Sequence, residues 1–180
     1  MKPTSSTLHA AIACASSLLF LGPVGAQDNH SSQLDQLSGF LGDGACTGHL
    51  LMKPEHATTG KFHGEKALGD QWVVVRYDQD PSSSNSRSYH VDQYFRYDAK
   101  ARHFVDVVLD SSGSSYASGT SSGWHGDVMT FENTVLTNGG HYLFRDAFMR
   151  RGALVVSHTG YQRDKSGKWV KTDEEICKRM

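Results

Sequence analysis

Residues 127–149, DVMTFENTVLTNGGHYLFRDAFM, decide the fold class. Two runs of alternating polar and apolar residues flank Asn138-Gly139-Gly140. Asn-Gly between alternating runs is a strong short-range hairpin signal, because both residues accept the positive φ that a tight turn needs. In the second run Tyr142, Phe144, Asp146 and Phe148 share one face of a strand. His141, Leu143, Arg145, Ala147 and Met149 share the other. The bulky aromatic face turns toward a core and carries Asp146 inward with it.

Working outward, the same period of two recurs along the chain. Ten strands are expected, near 45–52, 57–68, 71–78, 87–97, 103–110, 114–122, 127–136, 140–149, 153–162 and 168–177. The links carry turn chemistry, as in Leu68-Gly69-Asp70, Ser111-Ser112-Gly113, Arg151-Gly152 and Lys165-Ser166-Gly167. Before the first strand, apolar residues at 34, 37 and 40–41 form a short helical stripe that ends near Gly42. The expected fold is all-β: an antiparallel up-and-down β-barrel of about ten strands with a short N-terminal helix. Closure removes the free edges of such a meander. A two-sheet sandwich is the competing architecture. The inward faces of 45–52, 114–122 and 168–177 are too weakly patterned to assign.

The N-terminus reads as a secretory leader. Lys2 is followed by an apolar run, Ala10 to Leu21, too short for a membrane span, and by the small-residue site Val24-Gly25-Ala26. The expected organisation is a signal peptide over 1–26, a lead-in and helix start over 27–36 and the barrel over 37–179. The mature chain of 154 residues is long enough to bury a core. Its formal charge moves from −1 to −2 when Lys2 is lost, so no basic field invites nucleic acid or an anionic membrane. Cys46 and Cys177 remain after Cys14 leaves with the leader. In an exported chain an even pair reads as a disulfide. One that joins the first strand to the last favours the barrel.

Nine histidines outside the leader invite a metal or haem reading. His63/Glu65, His90/Asp92 and His125/Asp127 each share a strand face, yet no metal-ligand spacing such as H-E-x-x-H occurs. There is no G-x-S-x-G elbow for a serine hydrolase, and Gly119 to Gly123 lacks the lysine of a phosphate loop. The cluster Gly123-Trp124-His125-Gly126-Asp127 reads as a hairpin connection. Gly123 and Gly126 serve turn geometry, Trp124 packs over the barrel end and Asp127 bonds turn amides. Asp146 needs a partner inside, and Arg76, on the face of Trp72 and Val74, or Arg96 is the expected one.

The segments FLGDGACTGHL, GDQWVVVRYD, RYDAKARHFVDVVLDSSGS, SGWHGDVMTF, YLFRDAFMR and GKWVKTDEEICKR come in a characteristic order. In that order and spacing, over residues 37–179, the chain resembles the exported bacterial proteins grouped as domain of unknown function 1579. The resemblance implies a lipocalin-like, calycin-type barrel and a paired Cys46 and Cys177, and supplies no catalytic residues. One departure is Gly44-Ala45, where family members often carry an aromatic after the first Gly-Asp. It implies a looser plug at that end.

The leading expectation is a periplasmic or secreted barrel that binds a small apolar or amphipathic molecule. Trp72, Arg76, Tyr142, Phe144, Asp146, Phe148 and His158 are the lining candidates. No catalytic residue, metal ligand or cofactor is assigned, and no stable membrane insertion is expected. The alternatives are an enzyme, or a haem- or metal-binding protein, that uses cavity groups such as Asp146 with His158 or His90. A third is a structural or interaction protein of the cell envelope with a solid barrel.

Overall fold

A computed structural model of the chain describes residues 32–82, 87–113 and 115–180. The expected leader over 1–26 and the lead-in to residue 31 lie outside the described residues. The alternation becomes strands β1 (Gly42–Leu50), β2 (His56–Ala67), β3 (Trp72–Gln79), β4 (Tyr89–Asp98), β5 (His103–Asp110), β6 (Ser115–Ser121), β7 (Trp124–His125), β8 (Val128–Thr137), β9 (Gly140–Arg150), β10 (Val155–Arg163) and β11 (Trp169–Arg179). The ten expected strands are all present. The addition is β7, a two-residue stub that pairs with the start of β8.

Each long strand pairs antiparallel with the next, β6 passes over the stub to pair with β8, and β1 pairs with β11. Ten strands therefore close on themselves, which excludes the open sandwich. The seam lies where the first strand meets the last. There Cys46 and Cys177 stand directly opposite each other, with Cα atoms 4.0 Å apart, and form a disulfide.

One end of the barrel is filled by a 3-10 helix, Asp35–Phe40. Leu34, Leu37 and Phe40 repeat every third residue, the period at which 3-10 side chains eclipse on one face. All three are buried. They pack with Val73, Phe95, Phe104, Met129, Phe131 and Phe148. Phe40 stacks on Phe95 at 5.3 Å and meets Phe148 edge-on at 5.0 Å. Such aromatic pairs add about 0.5–1.5 kcal/mol each beyond the area they bury.

The helix is also tied by its carbonyls, which a helix this short leaves free. Trp124 Nε1 donates to Gln36 O at 3.1 Å, Arg150 Nη2 donates to the same oxygen, and Arg179 Nη1 donates to Ser38 O at 3.1 Å. The looser plug implied by Gly44 is not found at this end. Gly44 faces inward opposite Phe62, whose ring occupies the place a larger side chain would take, and the helix fills the space beyond.

Candidate functional site

Strand β9 sets the centre of the site. Its alternation brings Tyr142, Phe144, Asp146 and Phe148 to the barrel interior, and all four line one cavity of about 520 Å3. The barrel is therefore not solid. The cavity runs from Gly39 and Phe40 at the end of the helix to Met52, Gln79, Tyr89 and Asp110 at the opposite end. Apolar walls come from Val75, Val91, Val108, Val135 and Val156 among others.

Halfway along the barrel the apolar pattern is interrupted by a ring of polar side chains contributed by eight of the strands, β2 to β5 and β8 to β11. Gln93 Nε2 on β4 donates to Asp106 Oδ2 on β5 at 3.0 Å. Asn133 Nδ2 on β8 donates to the same Asp106 oxygen at 3.1 Å and to Asp146 Oδ2 on β9 at 2.6 Å. Asp146 Oδ1 lies 2.7 Å from His158 Nε2 on β10, and His158 Nδ1 lies 3.3 Å from Asp173 Oδ1 on β11. Glu175, two residues along β11, accepts from Tyr77 OH on β3 and from Thr58 Oγ1 on β2.

The charges of this ring are ordered by burial and by one another. Burial, then the neighbouring Asp146 charge, pushes Asp106 up, against the opposing bonds from Gln93 and Asn133. It holds its proton near neutral pH. His158 moves the other way to what burial alone would do. Burial lowers it, but the bond from Asp146 and the charges of Asp146, Asp173 and Glu175 lift it to about 9. It is an imidazolium with both ring nitrogens on carboxylates. Burial also raises Glu175, opposed by the Tyr77 bond.

Several ring residues lie over glycines, because the space inside a ten-stranded barrel leaves little room for two side chains at one level. A Cβ on Gly119 would overlap Asn133 Oδ1, and one on Gly160 would overlap the Asp173 carboxylate. A glycine inside a strand often marks such a close approach.

Of the lining candidates, Tyr142, Phe144, Asp146, Phe148 and His158 face the cavity. Trp72 and Arg76, expected to line it, do not. Both sit on the outer face of β3, where Arg76 Nη1 pairs with Glu65 Oε1 at 2.5 Å and Trp72 meets Tyr94 edge-on. Arg76 does share a face with Trp72 and Val74, but Val73, Val75 and Tyr77 are the residues that turn inward. Strand β3 is apolar on both faces, so alternation could not choose between them. Asp146 accordingly finds Asn133 and His158 rather than Arg76 or Arg96; Arg96 pairs with Asp98. His90 is exposed beside Asp78.

At the plugged end, Gly123 and Gly126 have φ of 100° and 61°, the left-handed region that favours glycine. Arg150 lies over the Trp124 ring at 3.6 Å, and the Asp127 carbonyl accepts from Arg150 N at 2.9 Å. His125 Nε2 lies 2.7 Å from Ser122 Oγ, exposed and outside the cavity. Trp169 is on the outer surface under Arg145, 4.2 Å from its guanidinium.

Sequence reasoning missed Tyr77, Tyr89, Gln93, Asp106, Asp110, Asn133, Asp173 and Glu175. Among the described residues one group of three potential metal ligands converges, Cys46, Glu175 and Cys177, and its two sulfurs are bonded to each other. No described helix is long and apolar enough to cross a membrane.

No family model and no curated protein matches the chain. Among solved structures it is similar to that of Rv2717c from M. tuberculosis, with a TM-score of 0.65 at 12% identity, covering 82% of this chain and 97% of that one. It is also similar, more loosely, to a redesigned β-barrel, with a TM-score of 0.41 at 11% identity over 79% and 93% of the two chains. At such identity the likeness to Rv2717c concerns the fold, a closed antiparallel barrel of ten strands, and nothing finer.

Proposed function

We propose that the barrel binds a small amphipathic organic molecule in its interior. The observation that carries this reading is the cavity. Its volume of about 520 Å3 falls in the range of small-molecule sites, and its walls are largely apolar with a few converging polar groups. The polar ring supplies orientation, and the valines and aromatic rings supply the apolar body's environment.

The one histidine of the ring is poorly suited to base catalysis or metal ligation. A general base needs a free lone pair near the working pH. His158 has both nitrogens on carboxylates and stays protonated to about pH 9. For the same reason it offers no lone pair to a metal or a haem iron. The Cys46–Cys177 disulfide supports an oxidising compartment, periplasmic or extracellular, and the reading of residues 1–26 as a secretory leader agrees with it.

The test is native mass spectrometry of protein purified from its own host, paired with titration of a neutral environment-sensitive dye. A retained small molecule or saturable dye binding that Phe144→Trp weakens is the expected result. A dye that never saturates, with no retained mass, would overturn the reading.

A further inference from the structure

The charged groups that line the cavity are unequal in sign. Four carboxyl groups face it, Asp110, Asp146, Asp173 and Glu175. Among the described residues no lysine lines it, and one arginine does, Arg179, which is tied to the plug through Ser38 O. His158 is clasped between Asp146 and Asp173; His49 and His56 stand at the far rim. Asp110 and Glu175 are held by hydroxyl and amide donors; Glu175 feels the His158 charge, but neither forms an ion pair of its own among the described residues. Asp110 accepts from Ser112 N at 2.8 Å and Ser115 Oγ at 3.1 Å and bonds Tyr89; Glu175 accepts from Tyr77 and Thr58.

The aromatic groups are placed to match. Tyr77, Tyr89 and Tyr142 line the half of the cavity remote from the helix, two of them with hydroxyls turned to carboxylates. A tyrosine ring presents a negative face, and several rings around an acidic group form the kind of cage that receives organic cations.

We propose that this cavity selects an amphipathic cation: an apolar body bearing an ammonium or similar head, lodged among Asp110, Asp173, Glu175, Tyr77, Tyr89 and Tyr142. The inference rests on the reading of the barrel as a small-molecule binder and names the ligand's chemical class. A carboxylate or phosphate head would meet acceptors where it needs donors. A neutral head would leave Asp110 and Glu175 without an ion-pair partner in a partly desolvated site. A cation completes it.

The titration behaviour of the lining points to the same field. His158 is lifted to about 9 against the effect of burial. Tyr89 and Tyr77 are both pushed up, first by burial and then by the charges of Asp110 and Glu175. The bonds from Ser112, Ser115 and Tyr89 outweigh burial at Asp110 and hold it low, so it is anionic at neutral pH.

The test uses the oxidised chain and three probes with the same tail, dodecylammonium, dodecanol and dodecanoate, in competition with a bound neutral dye below their aggregation concentrations. The ammonium is expected to bind at least tenfold more tightly than the alcohol, and the carboxylate more weakly than the alcohol. Glu175→Gln and, separately, Asp110→Asn should each lower the ratio of ammonium to alcohol affinity several-fold. Two variants are used because Asp110 also holds its turn. Alcohol or carboxylate binding as tight as ammonium, or ratios that neither variant moves, would overturn the cation assignment while leaving the binding function intact. Failure of all three probes and of the dye would overturn the binding function itself, and the cation assignment with it.

Discussion

The two halves of the barrel interior are built from different residues and do different work. Beside the helix, Phe40, Phe95, Phe104, Phe131 and Phe148 interlock with Leu34, Leu37 and Met129, and little space is left. Toward the other end the same inward positions carry Tyr77, Tyr89, Tyr142 and Asp110, and the space stays open. The change happens at the polar ring from Gln93 to Glu175. A phenylalanine can finish a core because it asks for nothing but contact. A tyrosine or carboxylate asks for a partner as well, and such residues are retained where water or a ligand can reach them. The helix half therefore holds the fold together, and the tyrosine half keeps the open space that the proposed ligand would occupy.

The largest effect expected is at the seam that both halves share. The disulfide joins residues 131 apart, and removing it as Cys46→Ala/Cys177→Ala should cost about 4–5 kcal/mol in the chain-entropy account. Urea unfolding of the oxidised protein and of the double variant measures it. The contrast between halves is sharpened next by Phe95→Ala against Tyr142→Ala. The first empties a fully buried site and should cost about 3–5 kcal/mol. The second trims a partly buried side chain on the open half of the cavity and should cost less, about 1–2 kcal/mol, while weakening dye binding. Equal losses of stability at the two positions would erase the distinction.

The ring between the halves predicts how stability follows pH. His158 has a folded value of about 9 against about 6.5 when unfolded. A raised value means that the folded state binds the proton more tightly. The stabilisation is therefore fully present below about pH 6.5 and is lost as pH rises through 9. Its size is about 3 kcal/mol on the linkage relation. Asp106, also raised, acts in the same sense. The lowered carboxylates Asp98 and Asp164 act oppositely, with stability lost only in acid. Unfolding midpoints measured from pH 5 to 9.5 should fall across the alkaline half of this range. His158→Gln should flatten that fall, and a midpoint that rises with pH would contradict the assignment of charge in the ring.

The barrel itself was legible because turns and alternation agree along nearly the whole chain, and the hairpin at Asn138-Gly139 fixes the sense of the rest. Asp146 was legible as an inward carboxylate because Tyr142, Phe144 and Phe148 leave no doubt about their face. Its partners were not, since register between β8, β9 and β10 joins residues 12 and 13 apart that no local pattern links. Strand β11 was the least legible. It turns Asp173 and Glu175 inward and Ile176 outward, the reverse of what hydrophobicity alone suggests. Binary patterning fails where charge is placed inside. The mid-strand glycines were the available signal. Gly119 and Gly160 break their strands' alternation at the level of the ring, where Asn133 and Asp173 need the room.

The smallest effect is expected at Arg76, which faces outward rather than toward Asp146. Arg76 and Glu65 form an ion pair on the outer wall, each close to half exposed. In water such pairs are worth about 0–1 kcal/mol, because solvent already satisfies both groups and holding two long side chains together costs entropy. Arg76→Ala should therefore shift the unfolding midpoint slightly and leave dye affinity unchanged. Had Arg76 been the inward partner of Asp146, its loss would strand a buried carboxylate, which costs several kcal/mol. The two placements thus differ severalfold in the stability they predict for one substitution. That difference arises because a strand's two faces, one residue apart in sequence, lie on opposite sides of the barrel wall.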